Sequence, residues 1–171
     1  MEDYVFAEFR QDNDNELGLF AIFFDCHLSH VLPDYLKENL FNNILNESNF
    51  WTELENVIRK AYNVTDTNIS EQVIDLGKGG STAVTAILIN CQKLIAATSK
   101  CWRFPGWDGA RVDSHLVVAR AFGDKSLKKH LTSEPDVAAE MIDNGTEIII
   151  LASDGLWKVS HAYFFLPVSL P

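Results

Sequence analysis

Apolar and polar positions change their spacing several times along the chain, and each spacing predicts an element. Tyr4, Phe6 and Phe9 alternate loosely with polar residues, which predicts a strand over residues 4–9. Asn13-Asp14-Asn15 is a turn signal. Leu19 to Phe24 is a continuous apolar run, the pattern of a strand buried on both faces. Tyr35, Leu36, Leu40, Ile44 and Leu45 then recur at three- and four-residue spacing, behind Pro33 in the first helical turn. A second helix is expected from a cap at Ser48 or Asn49, with Trp51, Leu54, Val57, Ile58 and Ala61 as its buried stripe. Ser81 to Ile89 is rich in Thr, Val and Ile and predicts a strand. A turn at Asn90-Cys91-Gln92-Lys93 and a return strand over Leu94 to Ala97 complete a hairpin. The stretch from Ser99 to Asp113 is irregular, and Ile148 to Ser153 is expected to be the last strand. Early helices surrounded by strands give an α+β class with a largely antiparallel sheet.

With 171 residues, 47% of them apolar, the chain has the size and core of one domain. Its net charge of −10 argues against nucleic acid, whose phosphates would be repelled. No apolar stretch approaches the ~20 residues of a membrane helix, and the acidic start Met1-Glu2-Asp3-Tyr4 lacks the layout of a signal peptide. The three cysteines, Cys26, Cys91 and Cys101, show no CxxC spacing and read as reduced thiols of the cytoplasm or nucleus. The four Asn-x-Ser/Thr sequons are then chance matches.

Two aspartates change this picture. Asp25 and Asp154 each end an apolar run, Leu19 to Phe24 and Ile148 to Ser153. A buried strand that ends in a carboxylate aims it at the rim of the sheet. Two such carboxylates side by side repel unless a cation neutralises them or one takes up a proton. Oxygen-rich sites suit Mg²⁺ or Mn²⁺, so a divalent-metal hydrolase is the first expectation. Cys26-His27 with His30 is a partial zinc cluster lacking a fourth ligand. Gly77 to Thr82 is glycine-rich but precedes a strand and lacks the lysine placement of a nucleotide loop. Arg120 reads as an ion-pair partner for Asp124.

Several segments in order resemble the plant-type, metal-dependent Ser/Thr protein phosphatases of the 2C family. Met1-Glu2-Asp3 resembles that family's opening MED box. Phe20-Ala21-Ile22-Phe23 with Asp25-Cys26-His27 resembles its F-A-[IV]-F-D-G-H strand end. Gly80-Ser81-Thr82-Ala83 resembles its G-[ST]-T-A strand. Ala119-Arg120-Ala121-Phe122-Gly123-Asp124 and Glu134-Pro135-Asp136 resemble its [SA]-R-[AS]-[FL]-G-D and E-P-[DE] boxes. Leu151 to Trp157 resembles its L-A-[ST]-D-G-[LV]-W box.

The resemblance implies a partial β-sandwich of mostly antiparallel sheets flanked by helices, over residues 1–159, with 160–171 a non-family tail. It implies two Mg²⁺ or Mn²⁺ ions bridged by Asp25, with the Cys26 carbonyl and Asp154 as further ligands and Glu2 and Asp3 holding metal-bound water. His27 would protonate the leaving alkoxide, and the partner would be a phosphoprotein met by a monomer.

The chain also departs from the family pattern. Cysteine stands at position 26 where the family has glycine. Phe23-Phe24 precedes Asp25 where the family has one phenylalanine, so either a bulge absorbs the extra residue or Asp25 points the wrong way. The family's G-D-S-R-[AV] strand, its D-H-K-P segment, its final D-N box and its phosphate-binding arginine have no counterpart. The expectation is a degenerate phosphatase whose ancestral reaction, Mg/Mn-dependent hydrolysis of phosphoserine and phosphothreonine on proteins, is impaired or absent; the alternative is a non-catalytic pseudophosphatase binding module or the product of a truncated gene.

Overall fold

The computed structural model describes residues 2–27, 31–72, 79–99, 120–124, 128 and 131–153, with backbone alone at residues 2 and 24–27. The elements run β1 (Glu2–Asp12), β2 (Asn15–His27), α1 (Val31–Leu45), α2 (Leu54–Glu71), β3 (Gly80–Ile89), β4 (Lys93–Thr98), β5 (Phe122–Gly123) and β6 (Asp136–Met141). The strands form one six-stranded sheet in the order β1-β2-β3-β4-β6, with β5 also paired to β3. Among the described residues every ladder between these strands is antiparallel, and one isolated bridge, Arg120–Thr132, is parallel. The α+β class and the helix-flanked antiparallel sheet are as expected.

Both predicted turns close hairpins. Asn13 adopts φ 53° between the paired Asp12 and Asn15. Asn90 and Cys91 adopt φ 51° and 53° between the paired Ile89 and Lys93. Asparagine tolerates this left-handed region because its short side chain bonds locally. The Asn90 amide also ties the two hairpins together, donating to Asn15 Oδ1 and accepting from the Glu16 N–H at 2.8 Å each.

Both helices pack on one face of the sheet. β2 sends Leu17, Leu19, Ala21 and Phe23 towards them, all at most 1% exposed. The residues between, Phe20 and Ile22, are only half-buried, so the run is not covered equally on its two sides. α1 answers with Leu32, Leu36, Leu40 and Ile44, one turn apart, and Phe41 stacks on Phe6 of β1 at 5.3 Å. Pro33 lies in the first turn, where its missing N–H costs no helical bond.

α2 begins later than the pattern implied. Residues 46–53 form turns, in which the Asn49 carbonyl accepts from the N–H groups of Thr52 and Glu53. Glu53 occupies the cap position without a side-chain bond, so neither Ser48 nor Asn49 caps the helix. Trp51 lies outside it and is 45% exposed, resting edge-on against buried Phe50. Val57, Ile58 and Ala61 are buried as predicted, joined by Tyr62, Thr65 and Ile69.

The segment 148–153 is not a strand. It pairs with no described strand, and Ile148 and Ile150 are 63% and 58% exposed. Isoleucine favours the pleated surface, but a strand exists only where another offers its backbone hydrogen bonds. Ile149 and Leu151 instead lie over the sheet face opposite the helices, lining with Val5, Phe20, Ile22 and Leu88 a cleft of about 250 Å³. Among the described residues, no helix is long and apolar enough to cross a membrane.

Candidate functional site

Four strand ends meet at one rim of the sheet. Glu2 of β1 pairs with Cys26 of β2, His27 of β2 pairs with Gly80 of β3, and Gly80 pairs with Gly123 of β5. The MED-like start, the Asp-Cys-His segment, the Gly-Ser-Thr-Ala strand and the Ala-Phe-Gly-Asp segment therefore converge, although they are dispersed along the chain.

The extra residue on β2 sits at this rim. Between the pairs Tyr4↔Phe23 and Glu2↔Cys26, β1 advances two residues and β2 three. Between Phe24↔Thr82 and His27↔Gly80, β3 advances two and β2 again three. Both neighbours thus register one surplus residue, and the stretches they bracket overlap at Asp25. Regular alternation would carry Asp25 onto the same face as Phe23; the irregularity interrupts it at that point.

Asp3 is exposed on β1. The side chains of Glu2, Asp25, Cys26 and His27, and the whole of Asp154, lie outside the described residues, as do His30 and residues 160–171. Among the described residues no three potential metal ligands cluster.

Close backbone approach shapes the β5 side of the rim. Gly123 has φ +74°, and a Cβ there would collide with the Gly79 carbonyl oxygen. That carbonyl accepts from the Asp124 N–H at 3.0 Å. Asp124, itself at φ 52° and 5% exposed, lays its carboxylate against Gly80: a Cβ on Gly80 would come within 2.7 Å of Asp124 Oδ2. Glycine at 123 is thus required by the backbone, whereas a larger residue at 80 would have to displace the Asp124 carboxylate.

α2 holds this segment in place through residues that the sequence pattern did not single out. Asp66 Oδ1 accepts the Gly123 N–H at 2.9 Å, and its Oδ2 pairs with Lys128 Nζ at 2.7 Å. Lys128 also donates to the Ala121 carbonyl at 2.9 Å. A turn earlier, Asn63 Oδ1 accepts from the Ser133 hydroxyl at 3.0 Å, and Arg59 donates to the Pro135 carbonyl. Tyr62 tilts its ring on Phe122 at 5.1 Å. The available signal was Asp66 itself, a carboxylate at helical spacing from Tyr62 and Ile69 on a buried stripe. Arg120 forms its ion pair with Asp136 rather than Asp124, at a geometry outside that of a hydrogen bond.

A family model described as Protein phosphatase 2C matches residues 104–162. The chain is 55% identical to the probable protein phosphatase 2C 39 of Arabidopsis thaliana over 193 residues, covering 93% of this chain and 66% of that protein. It is 49% identical to the probable protein phosphatase 2C 58 of the same plant, covering 93% of this chain and 68% of that protein. The chain thus spans about two thirds of the length of these relatives. The matched stretch of 193 residues exceeds the 171 of the chain, so the relatives carry residues inside it that this chain lacks. Its fold is shared with the crystal structure of a serine-threonine phosphatase 2C from Toxoplasma gondii, at a TM-score of 0.68 and 16% identity over 92% of this chain and 78% of that one.

Proposed function

This chain belongs to the protein phosphatase 2C family, and from that premise we propose that it is a degenerate phosphoprotein phosphatase with a partly retained cation site and impaired turnover. The observation that carries the reading is the rim. Glu2 and Asp25, acidic residues on adjacent strands, stand one residue out of direct register there. The backbone pairing thus gathers acid-bearing positions at one rim, and carboxylate oxygens are the donor type that Mg²⁺ or Mn²⁺ take.

In this reading the carboxylates of Asp25 and Asp154 and the carbonyl of Cys26 would hold the ions, and Glu2 and Asp3 would hold the water around them. When bound, paired divalent ions supply Lewis-acid polarisation of the phosphoryl group. His27 gives a proton to the departing serine or threonine oxygen. Two features support impairment: cysteine at position 26, where glycine would let the backbone approach freely, and the residues missing from within the matched stretch. The same missing residues favour a second reading, a non-catalytic module that binds phosphoproteins. The proposed setting is a monomer in the cytoplasm or nucleus, in keeping with the free, exposed Cys91 thiol.

Calorimetric titration with Mn²⁺ and a phosphopeptide release assay test the proposal together. The expected result is Mn²⁺ binding that Asp25→Asn abolishes, with turnover at least about a hundredfold below that of an intact relative, a barrier increase of ~2.7 kcal/mol. Turnover equal to the relative overturns impairment. Phosphopeptide binding without Mn²⁺ binding replaces the enzyme with the binding module.

A further inference from the structure

We propose that Asp66 is a positioning residue for the rim: it clasps β5 from α2, and through β5 it sets the end of β3 against the Asp25–His27 segment. This deepens the reading above and rests on it only for the use to which the rim is put.

The chain of contacts is short. Asp66 Oδ1 takes the Gly123 N–H, which has left-handed geometry and no side chain of its own to steady it. Lys128 locks the other oxygen, Oδ2, and anchors itself on the Ala121 carbonyl. Residues 121–123 are therefore held by one buried-side carboxylate and one ammonium, with Asp66 13% and Lys128 22% exposed. Held there, Gly123 pairs with Gly80, and the Asp124 N–H reaches Gly79 O. Gly80 in turn pairs with His27, two residues beyond Asp25.

β5 is only two residues long, so its own ladder cannot fix it. The clasp combines a charge-assisted N–H···O⁻ bond with an ion pair, both partly buried. An acid at this position is otherwise unfavourable on a stripe that also carries Tyr62 and Ile69.

The test uses the full chain and NMR. Asp66→Ala removes both contacts, Asp66→Asn keeps an acceptor for Gly123, and Lys128→Met removes only the ion pair. In Asp66→Ala, amide exchange at Gly123 and Asp124 should accelerate roughly tenfold to a hundredfold, as loss of a hydrogen bond to a charged group implies. The backbone shifts of Asp25, Cys26 and His27 should move as well. Asp66→Asn should restore most of both, and the Ile87 amide at the middle of β3 should be unaffected throughout. Unchanged exchange at Gly123, unchanged shifts at Asp25–His27, or acceleration that includes Ile87 equally would each overturn the proposal. Mn²⁺ titration forms a separate arm. A wild-type chain that binds no Mn²⁺ defeats the metal reading while the NMR pattern still decides the clasp. If the wild type binds, Asp66→Ala should weaken it about tenfold, and unaltered affinity overturns the positioning role.

Discussion

The Tyr62 hydroxyl lies 2.8 Å from Thr85 Oγ1, sealed between α2 and the centre of β3. The tyrosine is fully buried in the core and joins the two elements that frame the rim. Burial pushes its phenol well above the ordinary value of 10.0, while the Thr85 bond draws it partly back. The folded chain therefore keeps this proton at pH values where the unfolded chain has released it. Stability is fully present below pH 10.0 and falls as pH rises above it. Urea unfolding from pH 7 to pH 11 should show this decline. Tyr62→Phe should flatten it, while costing about 1–2 kcal/mol at neutral pH through the unpaired Thr85 hydroxyl.

The backbone approach at Gly123 makes a second expectation. Gly123→Ala combines an unfavourable left-handed φ with a collision against the Gly79 carbonyl, so the chain must shift. The expected loss is about 1–3 kcal/mol, read as a lower urea midpoint. Full stability with the alanine would show that β5 is free to move away from β3.

The two faces of the sheet should differ sharply in cost. Phe23→Ala empties a site 1% exposed beneath the helices and should cost about 3–5 kcal/mol. Val5→Ala, at a residue 74% exposed on the opposite face, should stay within about 0.5 kcal/mol. Thermal melts of the two variants side by side check the asymmetry.

Cys26 lies at the register irregularity of β2, opposite Glu2. Cys26→Gly should ease the backbone there and tighten Mn²⁺ binding by roughly threefold to tenfold, under 1.4 kcal/mol. Calorimetry reads this directly. Equal or weaker binding would mean that the cysteine is not what limits the site.

Much of the architecture was legible in local patterns. Turn asparagines at 13 and 90, the alternation around Tyr4 to Phe9 and the helical spacing of Leu36, Leu40 and Ile44 each act over a few residues, so one stretch of sequence suffices to read them. The family boxes were legible for the same reason, as short runs of residue types. The start of α2 was misread because Asn49 spends its carbonyl on a turn instead of opening the helix. What depended on distant partners could not be read this way. Whether Ile148 to Ser153 pairs as a strand is decided by what lies beside it. Arg120 pairs with Asp136 rather than Asp124, and its segment lies beside the one leading to Asp136 through the Arg120–Thr132 bridge and the Ala121 N–H bond to the Thr132 carbonyl. The surplus residue beside Asp25 could be counted in the sequence, but only hydrogen bonding to two neighbouring strands decided where the ladder absorbs it. Asp66 was one acid among many until folding placed the Gly123 N–H and the Lys128 ammonium beside it. Periodicity is a property of adjacent residues, whereas register and charge pairing belong to segments that meet only when the chain closes on itself.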